Sequence, residues 1–339
     1  MSKAAELAAL IGSQTALSNK NMIINGAFQC WQRSTSVSSQ TGSGYQTTDR
    51  WRTNASGGTY NQSRQTVPLG DSVVGDFKYF LRHEVTTGDN FTGIQQRIED
   101  VQSVPEGTLT LSFYAKGTNP NAGSITIGTN QYFGTGGSPS SNVEVTSAAT
   151  LTLTSSWQRF NFQLTVASIS GKTLGTNNDS YFQIQFTQDG NDTSTDAWTL
   201  DITGVQLELG ETATPFEHRS FGDELAACQR YFMQWNSNNA SREFVAMCTY
   251  YDDDDGHGIF QTPVSMRTYP SISYNDLAVF KRNSIDTTSV IVNSTTSPIG
   301  DSNTVPFNMD NAGGLNAGEA FFVGFSSTTV GYIKLDSEL

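Results

Sequence analysis

The sequence predicts a mainly β chain: an antiparallel β-sandwich, a linking helix and a smaller C-terminal β-sandwich, preceded by a short N-terminal helix. Three observations predict it. Apolar residues recur at every second position through most of the chain, as in strands with one buried and one polar face. Clusters of Gly, Asn, Ser and Asp separate these runs at the spacing of turns. Only 15% of residues are charged, against about 25% in an average soluble protein, so neutral Ser, Thr, Asn and Gln fill the outward strand positions.

Residues 1–20 contain SKAAELAALI, which places Ala4, Leu7, Ala8 and Ile11 on one helical face, with Gly12 as a stop. A helix this short is not stable alone, so its stripe is expected to pack on the body of the protein, on sister chains or on a larger assembly. Residues 21–218 read as the first β domain. LTLSFYAK (109–116) sends Leu109, Leu111, Phe113 and Ala115 to one face. RFNFQLTV does the same with Phe160, Phe162, Leu164 and Val166, and YFQIQFTQ with Phe182, Ile184 and Phe186. WTLDITGVQLEL carries Trp198, Leu200 and Ile202, then shifts at Gly204 to Val205, Leu207 and Leu209, which predicts a bulge. Residues 219–236 read as the linking helix: Leu225, Cys228, Tyr231 and Phe232 fall at helical spacing, and Asp223 and Glu224 sit in the positive first turn. Residues 237–339 return to short strands, EFVAMCTY, GIFQTPVSM, PSISY, LAVFK, SVIVN, AFFVGF and VGYIKL.

At 339 residues the chain has room for two domains of ordinary size. A net charge of -13 without a Lys/Arg cluster argues against nucleic acid as a partner. No run approaches the roughly 18 apolar residues of a membrane span, and the first residues do not read as a signal peptide, so no membrane insertion is expected. Cys30, Cys228 and Cys248 are odd in number and widely spaced, which fits reduced, buried thiols in a protein assembled in the cytoplasm.

Four constellations invite a chemical reading. FGTGGSPSS (133–141) lacks the following helix and Lys of a phosphate loop, and Pro139 removes an amide donor, so it reads as a loop between strands. His83, His218 and His257 are far apart in sequence, and no G-x-S-x-G elbow accompanies them. The acidic run Asp252, Asp253, Asp254 and Asp255 fails as an EF-hand, because Tyr251 stands where the first ligand should be and Thr262 where the Glu should be. A looser calcium site and a solvated hairpin tip both remain readings of it. With Tyr250, Tyr251 and His257 beside it, the run is the candidate glycan- or receptor-binding set, since sugar-binding surfaces use aromatics next to carboxylates. Glu99 with Asp100, and Glu208 with Glu211, are the acid pairs a glycoside hydrolase would draw on; their strand neighbours favour structural ion pairs, with Arg97 a partner for the first. No enzyme site is visible.

NMIINGAFQCWQRSTS (21–36), TTDRWR (47–52), GIQQRIEDV (93–101), LTLSFYAKG (109–117), QYFGTGGSPSS (131–141), SWQRFNFQLTVASISGKTLGTNNDSYFQIQF (156–186) and DITGVQLELGETATPFEHRSFGDELAACQRYF (201–232), in this order, resemble the tail-fibre and appendage proteins of tailed bacteriophages. TPVSMRTYPSISY and the final IKLDSEL resemble the small C-terminal domain of the same proteins.

The resemblance implies that the first domain is a jelly roll like those of carbohydrate-binding modules. It also implies a non-enzymatic virion structural protein, a homotrimer that joins other tail or capsid proteins and attaches the particle to a host surface glycan. A decoration or connector protein without receptor binding is the alternative, and a surface-polysaccharide hydrolase the third. The helix carrying Ala4, Leu7, Ala8 and Ile11 then becomes a trimer bundle or docking peg. A structural calcium of such jelly rolls would fall at Asn25 and Asp201; otherwise Asn25 and Gly26 form a turn, and Asp201 caps or pairs with an arginine such as Arg50. The chain departs from the family pattern at Ser34, where several members have Gly after the WQR triplet, and at Ala27, where they have an acid; the change at Ala27 removes one oxygen from that ligand set.

Overall fold

The computed structural model describes residues 20–87, 91–120, 123–188, 197–237, 244–250, 255–280, 285–286, 291–294, 303–310, 318, 320–325 and 331–339. The chain divides into two compact units, Met1–Glu224 with Leu339, and Leu225–Glu338.

The first unit is the expected antiparallel sandwich. Its strands are β1 (Ser36–Gln40), β2 (Arg52–Ser56), β3 (Thr59–Thr66), β4 (Tyr79–Thr87), β5 (Phe91–Glu99), β6 (Gly107–Thr118), β7 (Ile125–Tyr132), β8 (Val143–Leu151), β9 (Gln158–Val166), β10 (Tyr181–Gln188) and β11 (Trp198–Leu209). One sheet has six strands in the order β1-β3-β4-β11-β6-β9, the other five in the order β2-β5-β10-β7-β8. The chain passes from one sheet to the other at every step except β3 to β4 and β7 to β8, the crossed connections of a jelly roll. Between the sheets lie the residues that the alternation marked, Leu109, Leu111, Phe113, Phe182, Ile184, Phe186, Trp198 and Leu200 among them, with Trp51 and Phe28 beside them.

The shift at Gly204 is a bulge: the pairing of β11 with β6 slips between Thr203 and Gln206. Gly204 stands at φ 63°, and a Cβ there would come within 2.5 Å of the Phe77 ring, so both the turn and the close ring require glycine. Val205 and Leu207 face the core beyond it, but Leu209 is 61% exposed, because the strand runs past the edge of the core.

The helix α1 (Phe221–Gln229) is shorter than predicted. Ser220 caps it, accepting from the Asp223 amide at 3.1 Å and donating to the Asp223 carboxylate at 2.7 Å. The remaining apolar residues of the expected helix form a strand, β12 (Phe232–Asn236), in which Met233 and Trp235 turn to the core of the second unit. Pairing with a distant strand overrides the local helical spacing there, a signal that four apolar residues cannot carry.

The second unit continues with β13 (Phe244–Tyr250), β14 (Asp255–Gln261), β15 (Ser271–Asn275), β16 (Leu277–Phe280), β17 (Ile285–Asp286), β18 (Ile291–Ser294), β19 (Thr304–Asp310), β20 (Ala320–Phe325) and β21 (Tyr332–Asp336). A three-stranded sheet, β12-β21-β15, and a seven-stranded sheet, β17-β16-β20-β13-β14-β19-β18, enclose its core. Phe260 stacks on Phe307 with centroids 4.3 Å apart, and Trp235 lies 5.9 Å from Phe260.

Candidate functional site

The structure scatters the residues that the sequence singled out. Tyr250 is buried and stacks on Phe321 at 4.1 Å. It shares the inward face of β13 with Ala246 and Cys248, whose thiol burial pushes up to about 12, and so it leaves the surface set. His257 is exposed, with Nδ1 2.7 Å from Asn308 Oδ1. Asp255 opens β14 opposite Asp310. Tyr251, Asp252, Asp253 and Asp254 lie outside the described residues, as do Ala4, Leu7, Ala8 and Ile11.

Asn25 forms a turn at φ 59°, a conformation that asparagine tolerates. Its amide nitrogen donates to Cys30 O at 2.9 Å, and to Thr48 Oγ1 and Asp49 O at 3.0 Å, while its oxygen accepts from the Cys30 amide at 3.0 Å. Asp201 receives both arms of the Arg82 fork, at 2.7 and 2.8 Å, so its partner is Arg82 and not Arg50. Both side chains of the expected calcium pair are thus engaged by protein groups. Among the described residues no cluster of three or more His, Cys, Asp or Glu side chains could hold a metal ion.

The other constellations are structural in their contacts. Glu208 accepts from Gln206, from the Thr214 amide and from the Thr214 hydroxyl at 3.0, 2.8 and 2.7 Å, which pins the chain that follows β11. Asp100 accepts from the Gln102 amide at 2.9 Å and caps a single helical turn. In FGTGGSPSS, Phe133 is buried, and Thr135 holds Asp179 through its amide at 2.7 Å and its hydroxyl at 2.5 Å. The loop between β7 and β8 is therefore tied to the segment that leads into β10.

Two outer faces of the sandwich remain. On the six-stranded sheet, Arg82, Glu84, Lys116, Gly117, Thr118, Ser155, Thr199 and Asp201 line a cleft of about 340 Å³. Its acids are engaged, Asp201 by Arg82 and Glu84 by Asn61 at 2.8 Å, while Lys116 lies 4.9 Å over the Trp157 ring.

The five-stranded sheet is built differently. Because Ile94, Ile127, Phe182, Ile184 and Phe186 fill the core, the alternate residues face away from it. The register sets them in rows: Arg52 beside Gln95, Gln95 beside Gln185, and Gln185 beside Gly128. The next row places Arg97 beside Gln183, Gln183 beside Asn130, and Asn130 beside Glu144. In the last, Tyr181 stands between Glu99 and Tyr132. At Gly128 the missing side chain leaves room for the Gln185 amide, which a Cβ would approach to 2.8 Å.

The contacts on this face are partly closed. Tyr132 and Tyr181 stack at 4.6 Å, and the Arg97 guanidinium lies 4.4 Å over Tyr181. Arg97 Nε donates to Gln183 Oε1 at 3.3 Å, its Nη1 donates to the Leu339 carbonyl of the same unit at 2.6 Å, and Gln183 Nε2 donates to Gln185 Oε1 at 2.9 Å. Gln95 is 1% exposed, yet both its amide oxygen and its amide nitrogen lack a hydrogen-bond partner among the described residues, as does Asn130 Oδ1. Arg52 is half-buried; burial lowers its proton affinity, and the nearby Arg97 charge lowers it further. Burial likewise pushes the Tyr181 phenol up, against the pull of Arg97.

The sequence reading missed this face. Its signal is present in GIQQRIE and YFQIQFTQ, where the outward positions carry long amides and an arginine instead of the Ser and Thr that a solvated face uses.

No family model and no curated protein sequence matches the chain. Solved structures that match part of the chain include the N-terminal cellulose-binding domain of a Cellulomonas fimi β-1,4-glucanase, 20% identical over 40% of this chain and 80% of that one, with a TM-score of 0.28. A xylan-binding domain from Paenibacillus barcinonensis is 14% identical over 52% of this chain and 94% of that one, with a TM-score of 0.29. The enzymatically active domain of tailspike protein 4 from bacteriophage CBA120 is 12% identical, with a TM-score of 0.31; the match spans 56% of this chain but 21% of the tailspike chain.

Proposed function

We propose that the first unit binds a glycan on the outer face of its five-stranded sheet, without cleaving it, and that the chain serves as a homotrimeric tail fibre or appendage of a phage particle. The observation that carries the binding is the Gln95 amide, buried with neither of its atoms partnered among the described residues, between Arg52 and Gln185. Buried polar groups are normally satisfied, and sugar hydroxyls, which donate and accept together, complete such an amide. Tyr132 and Tyr181 add an apolar ring surface next to it. The role on the virion rests on the sequence resemblance.

Purified protein is expected to bind host cells and to lose that binding when surface glycans are stripped. Gln95→Leu and Asn130→Ala should each weaken it by about tenfold, the value of one or two hydrogen bonds. Unchanged binding by both variants would move the site off this face, and release of sugar from host polysaccharide would establish a hydrolase instead.

The second reading, a connector or decoration protein, draws on one observation. Phe244, Met247, Ile259 and Phe322 are each at least 44% exposed on the seven-stranded sheet, where Phe244 and Phe322 lie 5.0 Å apart. Tight attachment to another virion protein, without cell binding, would favour it.

A further inference from the structure

Resting on that reading, we propose that the glycan carries a carboxylate, as a uronate or a sialic-acid sugar does, and that Arg52 receives it. A neutral glycan would need only the amides of this face, Gln95, Asn130, Gln183 and Gln185. The two arginines need another explanation. Arg52 and Arg97 are diagonal neighbours across β2 and β5, since Arg52 pairs with Gln95, two residues before Arg97. Residues so placed lie within reach of long side chains, and two guanidinium groups there repel.

No carboxylate relieves that repulsion at Arg52, whose side chain among the described residues has no ion pair and no hydrogen bond. Arg97 is already engaged by Gln183 and Leu339, which leaves Arg52 as the cation for a ligand. The chain has the acids to neutralise it, with 32 Asp and Glu against 19 Lys and Arg. It uses one at Arg82 and one at Arg33, where Asp49 stands at 3.4 Å. An unpaired, half-buried arginine in a chain this acidic, beside an amide without partners, forms a site complementary to a planar anion. The fork matches a carboxylate in two bonds, and the Gln95 amide is placed for the hydroxyls next to it.

The test compares carboxylated oligosaccharides with their carboxyl-reduced counterparts on the full-length chain by calorimetry, with one arm of glucuronate-containing hyaluronan fragments and one of oligosialic acid. In at least one arm the carboxylated form should bind about tenfold tighter than its reduced form, the value of one charge-assisted pair. Arg52→Gln should erase that ratio; Arg52→Lys should restore part of it. Equal affinity for reduced and carboxylated forms in both arms overturns the inference while glycan binding stands. Failure of every sugar to bind, in a chain that also ignores host cells, overturns the glycan reading itself.

Discussion

The two outer faces of the first sandwich carry similar polar residues and treat them in opposite ways. On the six-stranded sheet the network is closed: Asp201 takes both arms of Arg82, Asn61 holds Glu84, and Thr214 holds Glu208. Phe77, Phe80 and Trp157 add a small apolar cluster over part of it. On the five-stranded sheet Gln95, Asn130 and Arg52 are left unfinished among the described residues. A closed network rigidifies a fold, whereas an open one costs stability that a ligand or an ordered water returns. Polarity therefore does not separate the two faces; incomplete satisfaction does, and it is what supports the five-stranded face as the proposed binding face.

The largest expected effect bears on both faces at once and sets the baseline for the others. His83 lies inside β4, between Tyr60 at 5.3 Å and Trp198 at 5.5 Å, with Nδ1 3.3 Å from the Gln62 amide and Nε2 unpartnered among the described residues. Burial pushes it down from 6.5 to about 3. The unfolded chain takes a proton near 6.5 and the folded chain does not until about 3, so the stability that neutral His83 confers is complete above pH 6.5 and is lost as pH falls toward 3. The loss is on the order of 4 kcal/mol at the bottom of that window. Denaturant melts at a series of pH values should show a shallower acid slope for His83→Gln than for the native chain. Identical slopes would mean that the ring is protonated in the folded state.

The next effects oppose each other across the sandwich. Asp201→Ala strands Arg82 over a buried position and should cost about 1–2 kcal/mol, less than a fully buried pair because the Arg82 side chain is 39% exposed. Gln95→Leu removes two unpartnered polar atoms and should leave stability unchanged or raise it by up to about 1 kcal/mol, while glycan affinity falls. Thermal melts of the two variants, with cell binding measured alongside, check both. If Gln95→Leu were the more damaging to stability, the five-stranded face would be as structural as its opposite.

The sandwich and its bulge were legible because alternation is a local signal, and each inward set, such as Phe182, Ile184 and Phe186, recurs within one strand. The end of α1 was not, since Met233 and Trp235 are strand residues only by virtue of their pairing with β21, about a hundred residues away. The candidate site was hidden for the same reason. Arg52, Gln95, Gln185 and Gly128 come from four strands, and only the register places them in one row. Conversely, Tyr250 sits beside the acidic run in sequence but behind the sheet in space. Residues adjacent in the chain were easier to read than residues adjacent in the fold, and this face is made of the second kind.

The smallest expected effect is the control that makes the comparison quantitative. Lys116 is a cation on the six-stranded face, 4.9 Å over Trp157 and 5.7 Å over Phe80. Lys116→Ala removes one positive charge, as Arg52→Gln does, and loses under about 1 kcal/mol of cation–π stabilisation. Both variants make an already acidic chain more negative by the same amount. If a carboxylated glycan were drawn to the molecule by its overall field, the two would weaken binding alike, and more so at low salt. If Arg52 holds the carboxylate directly, Lys116→Ala should leave affinity within about twofold of the native chain at every salt concentration, while Arg52→Gln lowers it about tenfold. The ratio of those two losses then measures contact at one face against attraction by the whole.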